Sequence, residues 1–160
     1  TGRFLYPSTT SKTFALVSKL IQHDVDLAGI ADKIITKPLN VNRMTGYIYE
    51  HLDVSPEGMA SVVLTKEVLE RFQATDQLAS LVVSVPGTVE GILAWSMYVE
   101  QEDGTFRVHL RSKGPTVNHI AQAFGGGGHT LACGIPSVTR SQILEVDAEL
   151  KEAVKAFKKN

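Results

Sequence analysis

Two short stretches in the second half of the chain carry residue types suited to holding an anion. In Gly125-Gly126-Gly127-Gly128-His129, bare backbone amides can approach a ligand closely, and an imidazole supplies a side-chain donor beside them. A helix C-cap and linker would account for one of these glycines, not four. Upstream, Arg111-Ser112-Lys113-Gly114 offers a guanidinium fork that matches phosphate bidentately, together with a hydroxyl donor. One helical pattern separates the two stretches, so they can converge on a single pocket for the phosphate of a nucleotide or short oligonucleotide. His129-Thr130-Leu131-Ala132 is expected to start a short helix whose N-terminal amides favour the same anion. Asn118 either caps the helix from Val117 to Phe124 or contacts a base or ribose. The pattern is not the dinucleotide fingerprint, which needs a strand before the glycines and a later acidic residue. It is not a Walker loop either, because no Gly-Lys-Ser/Thr follows.

Other chemistry-bearing residues read as structural. His23, His51, His109 and His119 show no metal-ligand spacing with Asp or Glu. Cys133 stands close to His129, but a small buried thiol is a better account of it than a nucleophile. Trp95 lies in a β run and belongs to the core.

The elements that must position these groups follow from periodicity. Helices are expected over the Phe14, Val17, Leu20 and Ile21 stripe and over the Leu27, Ile30, Ala31 and Ile34 stripe, which Pro38 ends. Asn42 is expected to cap a short helix carrying Met44, Tyr47, Ile48 and Leu52. The β-branched run from Met59 to Thr65 predicts a strand, and Thr65 caps a helix with Val68, Leu69 and Phe72 inward. A further helix is expected over Leu78, Leu81, Val82 and Val85, stopped by Pro86-Gly87. Residues 92–99 and Phe106 to Leu110 form a hairpin across Glu102-Asp103-Gly104-Thr105. In the second of these strands Phe106, Val108 and Leu110 share one face, and Arg107, His109 and Arg111 the other. The last helix should turn Leu144, Leu150, Val154 and Phe157 inward. The fold class is therefore α/β, a mixed sheet with helices packed on it, preceded by a helical segment.

The 160 residues suit one domain, or one domain and a piece of another. A formal charge of −1 disfavours a long duplex partner. The lone cysteine excludes an internal disulfide and fits a reducing cytoplasm. No apolar stretch is long enough for a bilayer, and the N-terminus lacks the pattern of a signal peptide. The chain begins without Met and reads as a fragment of a longer protein.

The strings FRVHLRSKG and VNHIAQAFGGGGHTLACG closely resemble the C-terminal domain that accompanies the DHH phosphoesterases, the DHHA domain. That family's signature maps here to Arg111 and Ser112, to Asn118, to Gly126, Gly127, Gly128 and His129, and to Ala132 and Gly134 in a small-residue helix. The N-terminal TGRFLYPSTT resembles the segment that closes the catalytic DHH domain in the nano-RNase and pAp-phosphatase branch. The resemblance implies a remnant of the DHH domain at 1–40, a linker helix at 41–52 and a DHHA-type substrate-binding domain at 53–160. It implies a parent enzyme with two manganese ions that hydrolyses short oligoribonucleotides and pAp. One metal-bound hydroxide would attack while both ions stabilise charge on phosphorus. This chain holds no Asp-His-His motif and no aspartate cluster, and the family's last metal-ligand aspartate would precede Thr1. The expected role of the chain is substrate binding through Arg111, Ser112, Asn118, Gly126, Gly127, Gly128 and His129, with no catalytic or metal residue of its own. A homodimer is compatible with this reading. Two other readings stay open: a cyclic or linear dinucleotide phosphodiesterase, and a non-catalytic nucleic-acid-binding module like the one appended to alanyl-tRNA synthetases.

Overall fold

A computed structural model describes residue 4, residues 8–74, residue 78 and residues 81–159. Of the TGRFLYPSTT segment, residues 1–3 and 5–7 lie outside the described residues. The chain divides into two compact units, Thr1–Lys37 and Pro38–Asn160.

In the first unit, α1 spans Ser11–Ile21 and α2 spans Leu27–Ile35. Thr10 stands at the N-cap of α1, and the Asp26 carboxylate caps α2 by accepting from the Gly29 amide at 2.8 Å. Both helices are amphipathic, yet neither buries a residue.

The second unit is built on a six-stranded sheet. Its strands are β1 (Asp53–Val54), β2 (Met59–Leu64), β3 (Ala94–Glu100), β4 (Phe106–Ser112), β5 (Gly127–His129) and β6 (Ala132–Val138). They lie in the order β1-β2-β3-β4-β6-β5. β2 and β3 pair in parallel and the other neighbours pair antiparallel, so the sheet is mixed, in keeping with the α/β reading. Its helices are α3 (Leu39–Glu50), α4 (Lys66–Arg71), α5 (Asn118–Ala123) and α6 (Gln142–Lys158). A parallel pair needs a crossover. Here that connection holds α4, capped by Thr65 Oγ1 on the Val68 amide at 3.4 Å. Of the helix expected over Leu78 to Val85, Leu78, Leu81 and Val82 are helical, and residues 75–77 and 79–80 lie outside the described residues. Val83 already leaves the helix, ahead of the 3-10 turn Pro86–Thr88.

Strand alternation sorts the sheet into two unlike faces. One packs Tyr98, Phe106, Val108, Leu110, Cys133 and Ile135 against α5 and α6, through Ile120, Val146, Leu150 and Val154. On the other face, Val41, Met44 and Ile48 of α3 cover Val62, Leu64, Met97 and Val99 of β2 and β3. Beyond β3 that second face carries Arg107, His109 and Arg111, as the alternation in β4 predicts.

Three local expectations need correction. α3 starts at Leu39 with Pro38 as its N-cap, so Asn42 lies inside the helix rather than before it. Proline has no backbone N–H to leave unsatisfied, so it suits the entry to the next helix as well as ending the one before. In α6 the buried stripe is Val146, Leu150 and Val154, and Leu144 is 76% exposed. Phe157 is also exposed at its outer side, although its ring packs against Gly114. No helix among the described residues is long and apolar enough to cross a membrane.

Candidate functional site

The glycine run does several separate jobs. α5 ends at Ala123, and the Gly125 amide donates to Gln122 O at 3.1 Å while the Gly126 amide donates to Ala121 O at 2.7 Å. These paired bonds close the helix, and Gly125 takes the left-handed conformation such an end requires, with φ of +76°. A Cβ on Gly126 would collide with the backbone of Gly134 and Ile135. On Gly128, at φ +137°, it would come within 2.7 Å of Cys133 Cα. On Gly127 it would meet nothing within 4 Å. Helix closure and packing thus require three of the glycines, and only Gly127 lacks a steric reason.

The residues after the glycines form a hairpin, not the expected helix. Gly127–His129 pairs antiparallel with Ala132 and its successors across the two-residue turn Thr130-Leu131. Contacts distant in sequence impose this geometry. The Ser112 amide donates to Leu131 O at 2.9 Å, and the Val117 amide donates to Thr130 O at 2.9 Å. Both turn carbonyls are therefore tied down, one by the end of β4 and the other by the start of α5. The same bonds bring the Arg111-Ser112 strand end, the Asn118 helix start and the glycine–histidine hairpin to one place.

Their register puts the key side chains in a row. Arg111 pairs with Ala132, and Ala132 pairs with His129. Directly opposed residues of antiparallel strands share a face, so Arg111, Ala132 and His129 project from the same side of the sheet. Two inter-strand steps separate Arg111 from His129, about 10 Å between backbones, and only a methyl group stands between. Trp95 flanks Arg111 on its other side in the same row and is buried, with its indole N–H donating to Val83 O at 2.6 Å.

Arg111 is half-buried. Its Nη1 donates to Leu110 O at 2.8 Å and to Cys133 O at 3.1 Å, which fixes the guanidinium plane. Both bonds come from one nitrogen, so the fork edge formed by Nε and Nη2 has no partner among the described residues. Burial pulls the guanidinium below its ordinary pKa. Ser112 Oγ accepts from the Gly114 amide at 3.0 Å, which leaves its O–H to donate elsewhere. Asn118 is the first residue of α5 and the N-cap is Val117, so the capping role is not the one it plays. Cys133 is the small buried thiol expected, its Sγ donating to Val117 O at 3.3 Å. Burial raises the thiol pKa, with Arg111 acting in the opposite direction. A protonated thiol turned into the core is no nucleophile.

Arg107 and His109 share the face of Arg111, and Ala132 and Gly134 lie in β6 rather than in the expected helix. The signal that could have found them is the two-residue period: 107, 109 and 111 on one strand, 132 and 134 on the next. Among the described residues, no group of three or more His, Cys, Asp or Glu stands together in a way that could hold a metal ion.

Comparison with known proteins brings the same segment forward. The DHHA1 domain family matches residues 58–159. A probable bifunctional oligoribonuclease and PAP phosphatase NrnA from Streptococcus mutans is 39% identical over 155 residues, 97% of this chain and 50% of that protein. The bifunctional oligoribonuclease and PAP phosphatase NrnA of Bacillus subtilis is 37% identical over 97% of this chain and 49% of its own length. The chain thus spans about half the length of these curated relatives. The crystal structure of an exopolyphosphatase-related protein from Bacteroides fragilis superposes with a TM-score of 0.83 at 25% identity, covering 98% of this chain and 46% of that one.

Proposed function

This chain belongs to the DHHA1 domain family, and from that premise we propose that it is the substrate-holding portion of a larger phosphoesterase, a hydrolase of short oligoribonucleotides and pAp. The names of the relatives support the substrate class. The observation that carries the binding role is the row Arg111–Ala132–His129, two cationic or donor side chains on one face with a small residue between them.

A phosphate seated over Ala132 accepts from the Nε/Nη2 edge of Arg111 on one side and from the His129 imidazole on the other. The Ser112 hydroxyl adds a donor at the end of the same strand. The hydrogen-bonded and open pairs of an antiparallel ladder alternate, and the residues flanking a two-residue turn form a bonded pair. Gly128 then directs its amide away from β6, at the sheet edge, where it can donate to a part of the ligand that reaches past His129. The Gly126 amide is already engaged by Ala121 O and plays no part in the grip. Asn118, beside the pinned turn, contacts the nucleotide. Such contacts go to phosphate and sugar, so they carry little sequence information and suit an enzyme acting on short fragments of any sequence.

The residues of this chain do not fit the manganese pair that the resemblance implies, since no metal-binding cluster exists among the described residues. The hydrolytic centre is assigned to the part of the relatives' length that this chain does not span, and the whole enzyme to the cytoplasm.

Titration of this chain with 5′-AMP, followed by backbone amide NMR, tests the reading. Shifts are expected at Ser112, Asn118, Gly127, Gly128 and His129, and Arg111→Ala should remove them. Incubation with manganese and a diribonucleotide should give no hydrolysis. Turnover by this chain would place chemistry where only binding is proposed.

A further inference from the structure

Away from the phosphate grip, α3 carries Arg43, Gly46, Tyr47 and Glu50 at i, i+3, i+4 and i+7, a stripe along one side of the helix. Val41, Met44 and Ile48 fill its buried side. The end of α4 lies alongside, tied there by the Asn40 side-chain amide, which donates to Phe72 O at 3.1 Å. Arg71 and Phe72 join the stripe to line an open depression of about 360 Å³. Two features of this depression answer to nothing within the fold. Gly46 sits inside a helix, where glycine is less stable than alanine, yet a Cβ there would meet nothing within 4 Å and no left-handed φ requires it. Arg43 and Arg71 face the same opening, and among the described residues neither is paired with a carboxylate. The Arg71 guanidinium lies instead over the Phe72 ring, 5.2 Å from its centroid.

We propose that this depression binds a second ribonucleoside monophosphate, separate from the one held at Arg111 and His129. Its phosphate sits between Arg43 and Arg71, whose planar forks match phosphate oxygens. The base lies over Gly46, where the missing side chain lets a ring approach the helix backbone closely. Tyr47 stands beside it, its own ring fixed by stacking on His51 at 3.9 Å and by the edge contact with Phe72 at 5.7 Å. Glu50 closes the other end and accepts from the ribose hydroxyls, as carboxylates do in ribose recognition. Arg43 and Glu50 are two turns apart, about 10.5 Å along the axis, a gap that their side chains narrow to the span of one nucleotide. The Glu50 carboxylate also repels a second phosphate, which favours a monophosphate over a polyphosphate. The proposal takes its ligand class from the function proposed above and uses none of the residues of that grip.

The test is a titration of this chain with 5′-AMP, read residue by residue from backbone amide NMR. Beside the shifts at Ser112, Asn118 and His129, a second set is expected over residues 43–50 and at Arg71 and Phe72. Gly46→Leu fills the depression, and the affinity read from the second set should fall about tenfold or more. The first set should keep its wild-type affinity in that variant. Arg43→Ala and Arg71→Ala should each weaken the second set in the same way. Gly46→Ala, which favours the helix, should raise the urea midpoint and still weaken the second set. Inorganic phosphate should bind the second set about tenfold more weakly than 5′-AMP. Absence of the second set in wild type overturns the proposal, and so does a second set that the Gly46 and Arg43 variants leave unchanged. Equal affinity for phosphate and 5′-AMP also overturns it, since the depression would then hold an anion only. Arg111→Ala should empty the first set alone. If the first set is missing while the second responds as described, the phosphate grip fails and this site stands.

Discussion

Arg111 and His129 lie two strands apart in one lateral row of the sheet, with Ala132 as the only residue between them. The size of that middle residue controls whether both side chains can reach a common anion. Ala132→Leu should therefore weaken 5′-AMP binding about tenfold or more, the cost of filling a recognition site. Far-ultraviolet circular dichroism should be unchanged. Isothermal titration of the purified variant checks the affinity.

The guanidinium of Arg111 is valued for its planar fork, not merely its charge. Arg111→Lys keeps a cation but cannot bind through two parallel N–H groups. The loss of 5′-AMP affinity should approach that of Arg111→Ala, about tenfold, measured in the same titration.

The four glycines should separate in denaturant. Gly125→Ala forces a side chain into the left-handed region and is expected to cost about 1 kcal/mol. Gly126→Ala and Gly128→Ala meet backbone of β6 and should cost about 1–3 kcal/mol. Gly127→Ala should stay within about 0.5 kcal/mol of wild type, as an open surface position does. Urea melts of the four variants establish the order.

A polar cluster on the opposite face gives a pH prediction. Asp147 accepts from the buried Ser96 hydroxyl and from the Tyr98 hydroxyl, each at 2.6 Å. Burial holds its carboxyl above the usual carboxylate range, against the lowering effect of those bonds. The folded state then keeps a proton that the unfolded state has released. Stability from this group is full below the unfolded pKa and is lost as pH rises through the folded one. Asp147→Asn should flatten that part of the stability profile above about pH 4, where the unfolded carboxyl ionises. Asp147→Ala should instead cost about 1–3 kcal/mol, because Ser96 is left without an acceptor. Thermal melts of the three proteins across this range distinguish the two effects.

Much of this arrangement could be read from the sequence. The alternation of Phe106 to Arg111 marks β4 and its two faces, and the apolar spacing of Val117 to Phe124 marks α5 running into the glycines. What could not be read is the hairpin after them. Glycine has poor strand propensity, and Thr130-Leu131 lacks the Asn-Gly or Asp-Gly of a favoured hairpin turn. The amides of Ser112 and Val117 hold that turn, and no local window contains those bonds. For the same reason the glycine run looked like a single anion cradle. Once β6 is in place, Gly126 and Gly128 are explained by what lies against them and Gly125 by its left-handed φ, while Gly127 has neither reason. Leu144 faces solvent while its neighbour Ile143 packs on the core, because one position in helical phase turns a residue from core to solvent.

A double-mutant cycle on Arg111 and His129, read as 5′-AMP affinity by calorimetry, tests the shared grip most directly. If both side chains hold one phosphate, each single alanine variant should lose affinity. The double variant should then lose less than the sum of the two, with a coupling of about 0.5–3 kcal/mol. Strict additivity, or a His129→Ala variant with wild-type affinity, would contradict the account.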